Sequence, residues 1–311
     1  MSNITVTGGG GYIGSLLVPL LLSKGHCVTV IDSFMFSQSS LLDCCADKKL
    51  TVIRGDVRDG ECIKRAIDGA EFIIPLAAIV GFPLCDFDKT AAQTVNYDSI
   101  ELLLSLRDRE QKIIFPCSNS GYGTTDGETY CTEDSVMEPI SLYGRTKVAA
   151  EKAILTSGNS LSFRFATLFG ASPRMRTDLL VNDFVKRAVN DGVISVFEGN
   201  FKRNFLHVRD AANAFLFAVE NFDRMKGSPY NCGLSDANLS KLQLCEKIKE
   251  HIPSLRYSEV QFASDPDKRD YIISNERIES MGFCPVFSLD DGIEELIKVY
   301  RILRTQNYSN I

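Results

Sequence analysis

Tryptophan is absent from this 311-residue chain, histidine occurs only three times, and cationic side chains do not outnumber anionic ones. With 34 Lys and Arg against 40 Asp and Glu, the formal charge is −6. The basic residues are scattered and form no stripe, which argues against a surface for neutralising nucleic-acid phosphates. His26, His207 and His251 show no metal-ligand spacing, so no metal is expected. The longest apolar run, Leu16 to Leu22, is broken by Pro19 and is far short of the roughly 20 residues needed to cross a bilayer. Met1-Ser-Asn runs straight into Ile4-Thr-Val6, leaving no room for a charged and then apolar leader, and the expected location is the cytoplasm. Ten cysteines are present without a Cys-x-x-Cys pair, and they read as reduced, mostly small core residues.

What the chain does contain is alternation. Ile4–Thr7, Cys27–Ile31, Leu50–Arg54, Phe72–Pro75, Lys112–Pro116 and Leu161–Arg164 are short β-branched apolar runs that read as buried strands. Helical patterns fall near Tyr12–Ser23, Gly60–Ile67, Lys89–Arg109 and Ser141–Leu155. That order predicts an α/β fold with a Rossmann-type, doubly wound parallel sheet. After Gly170 comes a Pro/Arg-rich stretch, Ala171-Ser-Pro-Arg-Met-Arg-Thr177, and then longer helices near Leu179–Asn190, Arg209–Asn221, Ser240–His251 and Ser288–Leu303. Ser240 and Ser288 are N-cap candidates. Residues 1–170 are expected to form the cofactor domain and 171–311 mainly a smaller α/β substrate lobe, with some segments returning to the first domain.

Thr7-Gly-Gly-Gly-Gly-Tyr-Ile-Gly14 lies between the first strand and the first helix, with Gly8, Gly11 and Gly14 three apart. Without Cβ atoms the backbone amides can approach a pyrophosphate at the positive end of a helix, although a tight turn needs the same residues. Asp32 ends the second strand, where a carboxylate accepts from ribose hydroxyls and repels a 2′-phosphate; a turn aspartate is the plainer reading. Ser33–Ser40 contains no Arg or Lys, which favours NAD over NADP.

Tyr143 and Lys147 share a helix face in Ser141-Leu-Tyr-Gly-Arg-Thr-Lys147. In a chain with ten tyrosines this spacing arises easily by chance, and its weight comes from the turn before it. A positive charge about 4 Å from a phenol contributes about 4 kcal/mol at an effective dielectric of 20, enough to bring it from about 10 toward 7. Tyr143 is then a general base for a sugar hydroxyl. Ser118, in Pro116-Cys-Ser-Asn-Ser-Gly-Tyr-Gly123, can bond that hydroxyl or simply stabilise its turn.

Taken in order, the glycine motif, Asp32, Asp56-Val57, Leu76-Ala-Ala78, Ser118, Tyr143-x-x-x-Lys147 and Arg203-x-Phe-x-x-Val-x-Asp210 resemble the extended short-chain dehydrogenase/reductases. Among these, the chain is similar to the NAD-dependent nucleotide-sugar epimerases and dehydratases over essentially its whole length. The resemblance implies Tyr12, Ile13 and Asp32 at the cofactor phosphates and ribose, Asp56 and Val57 at adenine, and Leu76, Ala77, Ala78 and Asn96 along the cofactor cleft. Lys147 would also hold the nicotinamide ribose. Asn182, Arg203 and Arg269 would meet a sugar-nucleotide diphosphate, Phe197 its base, and Ser118 and Asn119 the sugar. A homodimer through the two long helices of the first domain is implied as well. Asn96 also reads as an ordinary helix residue, the arginines as surface charges and Phe197 as core.

Departures narrow the chemistry. Sugar 4,6-dehydratases carry adjacent Asp and Glu where Asn119 and Ser120 stand, GDP-fucose-forming epimerases use Cys and His where Ser120 and Ser172 stand, and sugar-acid decarboxylases place Glu at Ser120. What remains is reversible oxidation at the sugar's C4 hydroxyl, by a 4-epimerase or a 4-dehydrogenase serving surface-polysaccharide precursors. The chain is also loosely similar to bacterial enzymes that oxidise C4 of a GDP-linked heptose. The alternatives are a dehydratase-type enzyme with atypical acid/base residues and a catalytically idle NAD-binding regulator.

Overall fold

The computed structural model describes residues 1–260 and 269–303. Its centre is a seven-stranded parallel sheet in which β1 (Asn3–Thr7), β2 (Cys27–Asp32) and β3 (Leu50–Arg54) form one wing. On the other side of β1 lie β4 (Phe72–Pro75), β5 (Lys112–Ser118), Ser160–Phe165 and Pro229–Cys232. All pairings in this sheet are parallel, with Ile4 opposite Val28 and Phe72 and Ile114 opposite Leu161. Val6, Val30, Ile74 and Ile114 are fully buried, as expected for strands covered on both faces. Each sequence-predicted strand of the first half is present.

Helices cover both faces. On one, Leu17 and Leu21 of α1 (Gly14–Ser23) pack with Ala211, Phe215 and Ala218 of Val208–Glu220. On the other, Ile63 and Ile67 of α2 (Gly60–Ile67) pack with Ile100, Leu103, Ala150 and Ile154. The expected helix over Lys89–Arg109 is interrupted: α-helical turns at Lys89–Gln93 and Ser99–Leu106 flank a π-helical turn at Thr94–Asp98. That turn presents Asn96 to the loop after β4, where it accepts from the Ile79 N–H at 2.8 Å and donates to the Ile79 carbonyl at 2.9 Å.

From Thr167 onward the chain builds a second core. A three-stranded sheet, Asn238–Ser240, Lys202–His207 and Thr167–Phe169, packs under helices Leu180–Asn190, Lys241–His251 and Leu289–Ile302. Phe169, Phe184, Phe205, Leu244, Ile293 and Leu296 fill it. Ser240 and Ser288 cap their helices with reciprocal capping boxes, as their positions predicted. Strand Pro229–Cys232 and helix Val208–Glu220 lie on the main sheet although they follow residue 170. Among the described residues no helix is long and apolar enough to cross a membrane.

Candidate active site

The carboxyl ends of β1, β2, β4 and β5 open into a cleft of about 480 Å³. Gly8 stands at its floor with φ +67°, and a Cβ there would lie 2.7 Å from Ala77 Cα. A Cβ on Gly14 would lie 2.5 Å from the Gly9 carbonyl, so only glycine lets the first turn of α1 approach the loop. Asp32 accepts from the Gly10 N–H at 2.9 Å and the Phe34 N–H at 2.7 Å, and it lines the cleft. Asp56 and Val57 line it too, and Arg58 binds Asp56 at 2.6 Å. That hydrogen bond holds the Asp56 carboxyl below its ordinary range. The glycine cradle at a helix N-terminus, the carboxylate at the end of β2 and the apolar walls of Leu76, Ala77 and Ala78 fit a dinucleotide.

Gly170 to Arg176 crosses from the second core to this turn. Tyr12 donates to the Gly170 carbonyl at 2.6 Å, and Ser172 Oγ pairs with Ser15 Oγ at 2.7 Å and donates to the Tyr12 carbonyl at 2.8 Å. From below, Glu295 accepts from the Ala171 N–H at 2.7 Å, from His207 at 2.9 Å and from Arg209 at 3.2 Å. Burial opposes ionisation of Glu295, but these donors outweigh it and hold the carboxyl at about 2. The strap carries Arg174, whose guanidinium stacks over Phe36 at 4.5 Å, and Arg176, which pairs with Asp178; both arginines line the cleft. Neither was singled out from the sequence. The only signal was the Pro/Arg-rich composition, which read as a boundary because nothing local shows that the segment folds back.

Tyr143, Lys147 and Ser118 line the same cleft, the first two on helix Leu142–Thr156 and Ser118 at the end of β5. Ser141 caps that helix by accepting from the Gly144 N–H at 3.1 Å. Lys147 is 4% exposed, and its ammonium lies over the Phe115 ring at 4.2 Å. Burial pulls Lys147 down to about 8, against the opposing effect of Cys117 and Glu151. Burial also pushes the Tyr143 phenol up to about 12, with Cys117 adding to the rise and Arg176 and Arg269 pulling down. The expected descent toward 7 under the lysine charge is therefore corrected: enclosure dominates.

Ile13, Gly11 and Arg269 also line the cleft, whereas five other sequence candidates are not among the residues that line it. Asn96 is occupied by Ile79. Asn182 accepts from the Gly170 N–H at 3.0 Å and donates to Tyr12 and the Arg176 carbonyl, so it ties the strap down. Arg203 is buried against the Tyr271 ring, at 5.6 Å, and it is Tyr271 that reaches the wall. Phe197, half-buried after strand Val193–Val196, accepts from the Lys241 ammonium on its carbonyl at 2.8 Å. Asn119 is 1% exposed, and both its amide atoms lack a hydrogen-bond partner. It opens the turn Asn119–Tyr122, all four residues of which are buried.

Comparison with known proteins agrees with this architecture. A low-salt glycan biosynthesis protein, Agl12, of Haloferax volcanii is 26% identical over 311 residues, covering 96% of this chain and 98% of its own. A UDP-glucose 4-epimerase of Corynebacterium glutamicum is 26% identical over 315 residues, covering 91% and 90%. The solved structure of a Thermus thermophilus UDP-glucose 4-epimerase with NAD superposes with a TM-score of 0.82 at 21% identity, covering 96% and 99%. Residues 4–233 match the NAD dependent epimerase/dehydratase family, and on that match the chain belongs to this family, whose cofactor is NAD.

Proposed function

We propose that this protein oxidises the C4 hydroxyl of a nucleoside-diphosphate sugar and returns the hydride to the same carbon, as a 4-epimerase. The observation that carries this reading is the convergence of Tyr143, Lys147 and Ser118 on a cleft floored by the glycine turn. The glycine turn and Asp32 would hold NAD, which would supply a reversible hydride acceptor for C4. Tyr143 removes the O4 proton in its phenolate form, which burial disfavours, and Lys147 supplies positive charge that favours that form: at about 8 it is mostly protonated at pH 7. Arg176 and Arg269 pull the phenol in the same direction. Ser118 bonds O4, and Arg269, on the cleft wall, is suited to the diphosphate. Asn119 and Ser120 supply no carboxylate for a second step of water or carbon dioxide loss.

The named relatives that act on a stated nucleotide sugar use UDP-glucose, which favours a UDP sugar over the GDP sugar expected from the sequence. A homodimer through the helical segments Lys89–Arg109 and Ser141–Leu155 belongs to the same proposal, and a monomeric mass by light scattering overturns it. The function is tested by incubating the protein with UDP-glucose, UDP-glucuronic acid and GDP-sugars and following products by mass spectrometry and NADH by absorbance. An epimer without net NADH supports the reading, accumulating NADH makes the protein a 4-dehydrogenase, and full activity in Tyr143→Phe sinks both.

A further inference from the structure

We propose that Ser120 is a positioning residue that makes Ser118 a one-way hydrogen-bond donor into the cleft. A serine oxygen has two acceptor positions and one proton. Both acceptor positions of Ser118 are occupied by one neighbour: the Ser120 N–H at 3.2 Å and the Ser120 hydroxyl at 2.9 Å. The proton of Ser118 is left for the cleft, which Ser118 lines.

Ser120 has little freedom to do anything else. It is 1% exposed, so water does not compete for its hydroxyl. Its turn, Asn119–Tyr122, is pressed against the helix that bears Tyr143. A Cβ on Gly144 would lie 3.2 Å from the Ser120 carbonyl oxygen, and a Cβ on Gly121 would lie 2.9 Å from Val148 Cγ2 and Met137 Sδ. The two glycines allow a close approach that fixes Ser120 relative to both Ser118 and Tyr143.

The consequence is a fixed polarity at the substrate oxygen, and it rests on the proposed role of Tyr143 as base. With its lone pairs taken, Ser118 cannot accept from a sugar hydroxyl. O4 must turn a lone pair toward Ser118 and its proton toward Tyr143. As the C4–H electron pair leaves as hydride, the O4 proton passes to the Tyr143 oxygen and Ser118 changes neither its proton nor its charge. The resulting carbonyl then accepts from Ser118 in the same sense, whichever face takes the hydride back. A carboxylate at position 120 has no proton to give at pH 7; it would accept from Ser118 and reverse this polarity.

Neutron diffraction from crystals of the NAD-bound protein exchanged into heavy water tests the polarity without any substrate. Deuterium on Ser120 Oγ directed at Ser118 Oγ, with that of Ser118 directed into the cleft, is expected; the reverse arrangement overturns the proposal. The kinetic arm uses Ser120→Ala, Ser120→Thr, Ser118→Ala and Ser118→Ala/Ser120→Ala with the sugar nucleotide that gives turnover, UDP-glucose first. Ser120→Ala should lower kcat about tenfold with KM within about twofold, Ser120→Thr should restore it, and Ser118→Ala should lose about a hundredfold. In the Ser118→Ala background, removing Ser120 should cost nothing further, an outcome a merely structural role would not give. If Ser120→Ala turns over at the wild-type rate, or loses as much in the absence of Ser118, the positioning role is wrong. If Ser118→Ala or Tyr143→Phe is as fast as wild type, the functional reading has failed instead, and the neutron result still decides the polarity.

Discussion

Lys147 and Glu151 sit one turn apart on helix Leu142–Thr156, both almost fully buried, yet they are treated in opposite ways. Glu151 is saturated. It accepts from Ser162 Oγ at 2.6 Å and is gripped by Arg164, with Nε at 3.0 and 3.2 Å and Nη2 at 2.9 Å. Arg164 in turn donates to Tyr122 and to the Glu133 carbonyl, and Tyr122 donates to Asn231, which carries the network to strand Pro229–Cys232. Lys147 has a ring beneath it, and the nearby carboxylate, Glu151, is engaged with Arg164. A buried charge is tolerated where its bonds are complete. Where they are incomplete, burial disfavours the charged form and a ligand can restore it, which is the pattern the proposed role of Lys147 calls for and which Glu151, as an anchor, lacks.

The sharpest way to break this contrast is to remove Arg164. Arg164→Met leaves Glu151 buried without a counter-charge and should cost about 3–5 kcal/mol in denaturant unfolding. Glu151→Met/Arg164→Met should return most of the stability. A double variant as unstable as the single would mean that the pair does more than compensate itself.

Lys147→Met should move stability the other way. A lysine at about 8 against its ordinary 10.5 opposes folding by about 3 kcal/mol at pH 7, so the variant should be more stable by that order while losing activity. The sign follows from proton linkage: between about 8 and 10.5 the unfolded chain binds the proton more than the folded one does. Wild-type stability therefore rises with pH through that window from this residue, and the advantage of Lys147→Met should fade above it. The rate should do the reverse, falling as pH rises through about 8 while Lys147 loses its charge. A flat rate profile between pH 7 and 9 would detach Lys147 from the chemistry.

How far this contrast is legible in the sequence follows from range. The strands, the glycine turn, Asp32 and the Tyr143/Lys147 pair depend on periods of two to four residues and stand where the pattern puts them. The saturation of Glu151 depends on Arg164 across a loop and on Tyr122 from another strand end, and no local pattern reveals it. The same holds for the strap: Arg174 and Arg176 reach the cleft where Ser172 meets Ser15 and Glu295 meets Ala171, contacts 157 and 124 residues apart in the chain. Asn182, expected at the diphosphate, is engaged by the Gly170 N–H and the Arg176 carbonyl, bonds to backbone 6 or more residues away that no local pattern reveals. The phenol's direction was missed because a pairwise charge argument leaves out the enclosure that the fold creates.

The smallest effect probes the anchoring end alone. Ser162 is fully buried on strand Ser160–Phe165, and its hydroxyl gives Glu151 one of its four bonds. Ser162→Ala removes a neutral donor to a charged acceptor, while Arg164 continues to neutralise the carboxylate. The expected loss is about 1.5 kcal/mol, smaller than the loss of the arginine because no charge is stranded. Turnover per folded molecule should stay at the wild-type level, since Lys147 and Tyr143 keep their surroundings. If Ser162→Ala instead shifts the pH at which the rate falls, the charge on Glu151 is felt at Lys147 strongly enough to set its protonation. The opposing effect of Glu151 on Lys147 would then be strong enough to make the two neighbouring turns one electrostatic unit, with the anchor setting the lysine's protonation.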